Sequence, residues 1–389
     1  MSAITTARPE ASPALYRQVA YLTAPALVFL GVRAVGLAVL AWMAARNGRS
    51  ITTALTSWDG HWYLGLAQGG YSGAGSDLVD AHFQHDQSNL LAFFPGYPAL
   101  TSLLAHLPGA TLVDAAFAVT VLSGLACSYG LVRLGALLPG GSRRLGLVLA
   151  ALFAASPMAV VLSMTYSEAL FCACAVWSLA FLLERQWLWA GVCCALSGLV
   201  RPTAAAVIAA VGLAAVIAIT RREDGWRPWV GALLAPVGLV GYLAWVGVRT
   251  GRWDGWFVVQ QRGWNSQFDG GAATFKFALD ALASGRSVLE VLTVGLCVAA
   301  LALVILCIGQ RVPWPLIAYG IAVLVMDLGS NGLMNSKARL MLPAFVLLIP
   351  LAMALVKRRP STVWLTLAAV AVMSAWFGAY SITAWPYAI

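Results

Sequence analysis

The chain alternates long uninterrupted apolar runs with short connections that hold its charges. Residues 145–164 and 202–220 carry no Asp, Glu, Lys or Arg. Runs of about 18 residues or more are long enough to cross roughly 30 Å of hydrocarbon as helices. Applied along the chain, this pattern predicts about eleven spans, at roughly 21–43, 112–132, 145–164, 169–183, 187–200, 203–220, 229–248, 288–308, 314–329, 340–356 and 363–380. Composition agrees: 61% of residues are hydrophobic and 10% charged, against about 45–50% and 25% in a soluble domain. The expectation is an all-α integral membrane protein, with residues 1–389 forming a single polytopic unit.

Charge then orients the spans. Residues 1–18 are polar and include Arg8 and Arg17, and the apolar run after them exceeds a signal-peptide core, so they read as a retained cytoplasmic tail. With that end inside, Arg133, Arg143 and Arg144, Arg185, Arg221, Arg222 and Arg227, Arg311, and Lys357, Arg358 and Arg359 all fall in cytoplasmic connections, as the positive-inside rule requires. The opposite, outer set holds two long segments, 44–111 and 249–287, and short turns at 165–168, 201–202 and 330–339. The net charge of +9 is spread over these connections rather than gathered on one face, so no nucleic-acid partner is expected. The seven cysteines fall inside predicted spans and read as small apolar packing residues.

The first outer loop carries the most informative chemistry. In Ser57-Trp58-Asp59-Gly60-His61-Trp62-Tyr63, Ser57 reads as an N-cap, and Trp58, Trp62 and Leu66 recur every four residues. That places them on one face of a short interfacial helix with its indoles at headgroup level. Asp59 falls in the first turn, where the helix dipole favours its ionised form. It either reinforces the cap or takes part in chemistry, and its setting between tryptophans favours the second. His61 points away from the Asp59 face of a regular helix, which argues against an Asp-His dyad. Asp80, His82, His85 and Asp86 form a solvated polar loop, and no metal or cofactor is assigned. Phe93-Phe94-Pro95-Gly96-Tyr97-Pro98 breaks regular helix, and residues 99–107 read as interfacial or re-entrant. Arg33, in mid-span, must face the bundle and reads as structural.

Together, Trp58-Asp59-Gly60-His61-Trp62-Tyr63, Phe93-Phe94-Pro95-Gly96-Tyr97-Pro98, Leu199-Val200-Arg201-Pro202-Thr203, Lys337-Ala338-Arg339 and Leu342-Pro343 resemble the PIG-V-like mannosyltransferases, over most of the chain. The resemblance implies a GT-C-like helix bundle. It also implies transfer of a sugar, mannose, from a polyprenyl-phosphate carrier to a glycan, lipid or protein acceptor on the outer face, with the carboxylate of the first outer loop, Asp59, as the catalytic candidate. The Ala-, Gly- and Arg-rich composition reads as that of a bacterial plasma-membrane protein.

The chemistry of such a transfer needs a base and cations for the leaving phosphate. Asp59 suits the first. Arg201, Lys337 and Arg339 suit the second, unless they merely anchor helix ends among lipid headgroups. Glu168 is a second carboxylate for sugar hydroxyls or acceptor orientation. His61, and Gln260 and Arg262 in a polar and aromatic stretch of the second outer loop, complete the substrate-binding candidates. A lipid or solute transporter is the rival reading. It would place polar residues near the midplane, which offers little beyond Arg33, and no internal repeat or matched pair of broken helices is visible.

This topology predicts that cysteines introduced at Ser76 and Asn265 react with a membrane-impermeant reagent in intact cells. Labelling only after lysis would invert the map.

Overall fold

The computed structural model describes residues 13–73, 78–284, 287–332, 334–385 and 387–389, and side chains from residue 18 onward. Most of the expected cytoplasmic tail, and Ser76, lie outside the described residues. In chain order the helices are α1 (Pro13–Arg46), α2 (Ile51–Leu55), α3 (Asp59–Gly73), α4 (Gly96–Ala105), α5 (Leu112–Leu137), α6 (Arg143–Ala154), α7 (Glu168–Leu183), α8 (Trp187–Gly198), α9 (Ala204–Thr220), α10 (Arg227–Leu234), α11 (Val237–Thr250), α12 (Gly255–Trp264), α13 (Ala272–Ser284), α14 (Val288–Gly309), α15 (Trp314–Leu328), α16 (Lys337–Leu340), α17 (Ile349–Val356) and α18 (Pro360–Thr383). Among the described residues no strand forms beyond a single antiparallel bridge between Phe268 and Ser330.

Local sequence sets many of the helix ends. Ser50, Ser142 and Ser287 accept backbone N–H bonds as N-caps, and Thr111 with Asp114 forms a capping box. Prolines mark the breaks. The predicted span 145–164 stops at Ala154, three residues before Pro157, and resumes as a 3-10 turn, Ala159–Ser163, after Met158 takes a left-handed φ of 59°. The predicted span 340–356 is likewise broken: Met334–Leu340 and Leu342–Val356 meet at 53°, with Pro343 at the junction.

Among the described residues, five helices are long and apolar enough to cross a membrane: Gln18–Arg46, Leu112–Leu137, Arg227–Thr250, Val288–Gly309 and Pro360–Thr383. The bent pair makes a sixth if counted as one span. Glu168–Leu183, Trp187–Gly198, Ala204–Thr220 and Trp314–Leu328 are apolar but shorter. At 1.5 Å per residue, the 16 residues of α7 rise about 24 Å, short of a full hydrocarbon core.

The main core lies among α1, α5, α6, α7, α9, α15, α17 and α18 and buries Phe29, Leu131, Phe153, Phe171, Tyr319 and Phe345. A second, aromatic core joins the first long loop to α5, α11 and α12 through Trp62, Phe93, Phe94, Tyr97, Tyr242 and Val259. Here the interfacial reading of α3 is corrected. Trp62 is buried, stacked on Phe93 with centroids 5.3 Å apart, and Leu66 is buried beside it. Trp58 lies before the helix with a φ of 57° and packs on the main core, so it does not share their face. Ser57 does not cap α3 with its side chain: its hydroxyl donates to Ala54 O at 2.8 Å.

Arg33 is satisfied without a carboxylate among the described residues. Its Nη1 donates to Ala154 O at 2.8 Å and its Nε to Ser163 Oγ at 3.0 Å, so a buried cation sits at the C-terminal end of α6, where the helix dipole favours it. The structural reading of Arg33 stands on those bonds. On the opposite set of connections, Arg133 pairs with Glu184, and Arg185 with Glu223 and Asp224.

Helices α5 and α6 approach closely because Gly146 has no side chain. A Cβ there would lie 2.5 Å from Val132 Cα and O, the small-residue contact that membrane helices use in place of a hydrophobic driving force. Gly146→Val should therefore destabilise the protein by roughly 1–3 kcal/mol, read as a lower unfolding midpoint in detergent. Gly212→Ala, where nothing lies within 4 Å, should be neutral or stabilise the α9 interior by up to about 1 kcal/mol.

Candidate active site

Four segments distant in sequence meet at one place, each held by a local device. After α2, the left-handed Trp58 reverses the chain so that α3 opens on Asp59. Tyr166 braces this junction: its hydroxyl accepts from Asp59 N at 3.2 Å and donates to Ser57 O at 3.3 Å. Thr165 N donates to Leu55 O at 3.1 Å. Gly60 is required for the contact, since a Cβ there would lie 2.5 Å from Thr165 Oγ1. The 165–167 segment leads directly into Glu168, the first residue of α7. Gly96 N donates to Leu199 O at 2.7 Å, which seats the Phe-Pro-Gly-Tyr-Pro motif on the turn before Arg201. The motifs quoted separately from the sequence are thus physical neighbours.

The charged side chains alternate in sign. Arg339 Nη1 donates to Asp59 Oδ2 at 2.5 Å, and its Nε lies 3.6 Å from Glu168 Oε1. Arg201 Nη1 lies 2.7 Å from the same Glu168 oxygen and donates to Ser167 Oγ at 3.1 Å. Ser167 Oγ lies 2.7 Å from the Tyr63 hydroxyl, and the Arg339 guanidinium lies over the Tyr166 ring, 5.2 Å from its centroid. Asp59 is the accessible member, its side chain 25% exposed. Glu168 is fully buried, and the side chains of Arg201 and Arg339 are 10% and 8% exposed.

Two features leave this cluster short of negative charge and of well-directed hydrogen bonds. Asp59 and Glu168 each open a helix, and a helix N-terminus carries about half a positive charge, so two carboxylates face two guanidiniums and two dipole ends. Among the described residues, the buried Nε–H groups of Arg201 and Arg339 have no hydrogen-bond partner, and neither Glu168 oxygen accepts a well-directed hydrogen bond despite its ionic contacts. Buried donors without acceptors are costly, and a ligand oxygen reaches these Nε–H groups only if the packing around them opens.

Among the described residues, no hydrogen bond or ion pair joins the side chains of the other expected site residues to this cluster. Lys337 is buried, its ammonium donating to Asp327 O and Ser330 O and not entering the Asp59 cluster. His61 is exposed. Gln260 Nε2 donates to Ala92 O at 3.3 Å and so holds the first long loop. Arg262 is exposed. Asp80 organises its own loop, accepting from His82 N at 2.8 Å, Gln84 N at 2.9 Å and Asn89 Nδ2 at 3.0 Å. Burial pushes the Asp80 carboxyl up, but these bonds outweigh it and leave the group below the usual carboxylate range. Among the described residues, no group of three or more His, Cys, Asp or Glu side chains could hold a metal ion. The braces Thr165, Tyr166 and Ser167 have no sequence signal of their own, while Tyr63 lies inside the quoted Trp58–Tyr63 motif. Asp327 had one, a carboxylate at the end of an apolar run.

No family model and no curated protein matches the chain. Its fold is similar to that of ArnT from Cupriavidus metallidurans bound to undecaprenyl phosphate, with a TM-score of 0.50 and 18% identity, over 87% of this chain and 61% of that one. The same protein in the apo state gives a TM-score of 0.48 at 19% identity, over 79% of this chain and 56% of that one. The chain thus spans about three fifths of the length of ArnT, and at this identity the likeness is one of fold.

Because Glu168 is the only carboxylate paired with Arg201 among the described residues, Glu168→Gln should leave that buried guanidinium uncompensated. Breaking a buried pair from one side costs roughly 3–5 kcal/mol, so the detergent unfolding midpoint should fall well below wild type. An unchanged midpoint would show that the cluster contributes nothing to stability.

Proposed function

We propose that the protein is an inverting membrane glycosyltransferase. It moves a sugar, mannose, from a polyprenyl-phosphate carrier to a hydroxyl of a glycan, lipid or protein acceptor on the outer face of a bacterial plasma membrane. The observation that carries the proposal is the accessible Asp59 carboxylate set against two guanidiniums whose side chains keep 10% and 8% of their surface exposed. The fold supports it, being shared with a structure bound to undecaprenyl phosphate. Mannose rests on the motif resemblance to PIG-V-like enzymes. Eleven crossings, with both long loops outside, require α6 with its 159–163 turn and the four shorter apolar helices to cross a locally thinned hydrocarbon layer beside the five long helices and the bent pair.

In this reading Asp59 takes the proton from the acceptor hydroxyl as its oxygen attacks the anomeric carbon. The bond from that carbon to the phosphate oxygen breaks on the opposite face. The carrier phosphate leaves with its charge held by Arg201 and Arg339. Glu168, having no exposed surface, holds the two guanidiniums in place rather than meeting the sugar.

The test is transfer of radiolabelled mannose from its polyprenyl phosphate into a membrane extract by purified protein. Wild type should give a labelled product. Asp59→Asn should lose about 10²- to 10⁴-fold in rate with donor binding near wild type. Arg201→Ala should weaken donor binding on the order of tenfold, since hydrogen bonds to charged groups are worth about 1.5–3 kcal/mol. Absence of product from any polyprenyl-phosphate sugar, or full turnover by Asp59→Asn, would refute the proposal.

A further inference from the structure

We infer that Lys337 is a positioning residue for Arg339 and not a ligand of the carrier phosphate, an inference that rests on the proposed role of Arg339 in that phosphate site. Lys337 is only 1% exposed. Its ammonium donates to Asp327 O and, at 2.5 Å, to Ser330 O, with the Asp327 carboxylate 3.8 Å away. Two of its three N–H donors are therefore spent on backbone carbonyls, and the third faces a buried carboxylate. These carbonyls lie at the C-terminal end of α15, where the helix dipole favours a cation.

The end of α15 is itself a fixed anchor. Asn331 N donates to Gln267 O at 2.9 Å, and Asp269 N to Gly329 O at 2.9 Å. Gln267 N donates to Asn331 Oδ1 at 2.8 Å, and Thr274 Oγ1 to Leu328 O at 2.8 Å. The turn that receives the ammonium is thus laced to the second long loop.

Helix geometry supplies the rest. Residues two apart on a helix do not face each other, so in α16 Lys337 and Arg339 point in different directions. One reaches back to α15 and the other reaches Asp59 and Glu168. Both side chains cannot serve one phosphate from this short helix. The pinned ammonium instead sets where α16 sits, and with it the Arg339 guanidinium between the two carboxylates.

Two variants test this: Lys337→Met, and Asp327→Leu with Lys337→Met, which removes the buried pair together and so leaves no unpaired charge. In an otherwise wild-type background each should lower donor kcat/KM by about tenfold to a hundredfold, the scale of a misplacement of about 1 Å. In an Arg339→Ala background each should change it by less than about twofold, because a residue acting only through Arg339 has nothing left to position. Equal losses in both backgrounds would overturn the inference and return Lys337 to direct phosphate contact.

A second readout needs no substrate. Unfolding midpoints in detergent of Asp59→Asn, Arg339→Ala and their combination should be non-additive when Lys337 is present and additive once Lys337→Met is added. Coupling that persists unchanged would overturn the inference. If neither Lys337 variant yields folded protein, the residue is a determinant of the fold and the inference is likewise overturned. A wild-type protein without transferase activity would refute the proposed function, while this second readout would still decide the role of Lys337.

Discussion

The Arg339 guanidinium lies between two carboxylates, hydrogen-bonded to Asp59 and in ionic contact with Glu168, and the rest of the site is arranged around it. Taking an ion from water into a protein interior costs several kcal/mol even after relaxation. Two carboxylates facing one another with nothing between them would add repulsion to that cost. With the cation in place, the sequence of charges runs negative, positive, negative, positive through to Arg201. Asp59 and Arg339 are 280 residues apart, so the contact forms only once the first long loop and the segment after α15 have both reached their final places.

That requirement explains how the first long loop is held. Its 91–93 stretch ends a largely buried 3-10 turn, Gln87–Ala92, whose last carbonyls have no partner within the turn, and a buried carbonyl needs a donor. Tyr242 donates to Leu91 O and Phe93 O, Tyr71 also donates to Phe93 O, and Trp256 and Gln260 donate to Ala92 O. Side chains from α3, α11 and α12 thus do for this loop what a ladder does for a strand. The stacked Trp62 and Phe93 rings fill the space between. The loop that carries Asp59 is a packed part of the protein, and Gln260, which the sequence marked for sugar recognition, works there as a brace.

What was legible in the sequence, and what was not, follows from the range of the forces involved. Helical apolar runs are a local property and could be read directly, although only five of the helices, six with the bent pair, have the length to cross a membrane among the described residues. So could Asp59, Glu168, Arg201 and Arg339 as candidates, because charges are few in a chain this apolar and each sits at or beside a helix end, all but Glu168 within a distinctive motif. Pairings were not legible, since no local pattern reports that Arg339 meets Asp59. The face assigned to Trp58, Trp62 and Leu66 failed because a regular helix was assumed through Trp58, whose left-handed backbone delays the start to Asp59. Helices α12 and α13 were missed because their polar and apolar residues alternate without a run long enough to stand out. Lys337 was grouped with Arg339 because the topology rule counts charges in a turn and cannot distinguish a buried one from an accessible one.

Burial also divides the work between the two carboxylates. Both open a helix and both touch Arg339, so their electrostatic settings are alike, yet one side chain is a quarter exposed and the other has no exposed surface. A group without exposed surface cannot meet a hydroxyl from outside unless the packing around it opens. In Glu168 that packing includes two guanidiniums whose positions depend on it. Asp59 has Arg339 on one side and the Tyr166 hydroxyl bracing its backbone on another, which leaves its open side for a reacting group. On the proposed reading, the acceptor must then approach Asp59 from the face away from Arg339, while the carrier phosphate lies on the arginine side. An inverting displacement needs that geometry, with the attacking oxygen and the leaving oxygen on opposite faces of the sugar carbon.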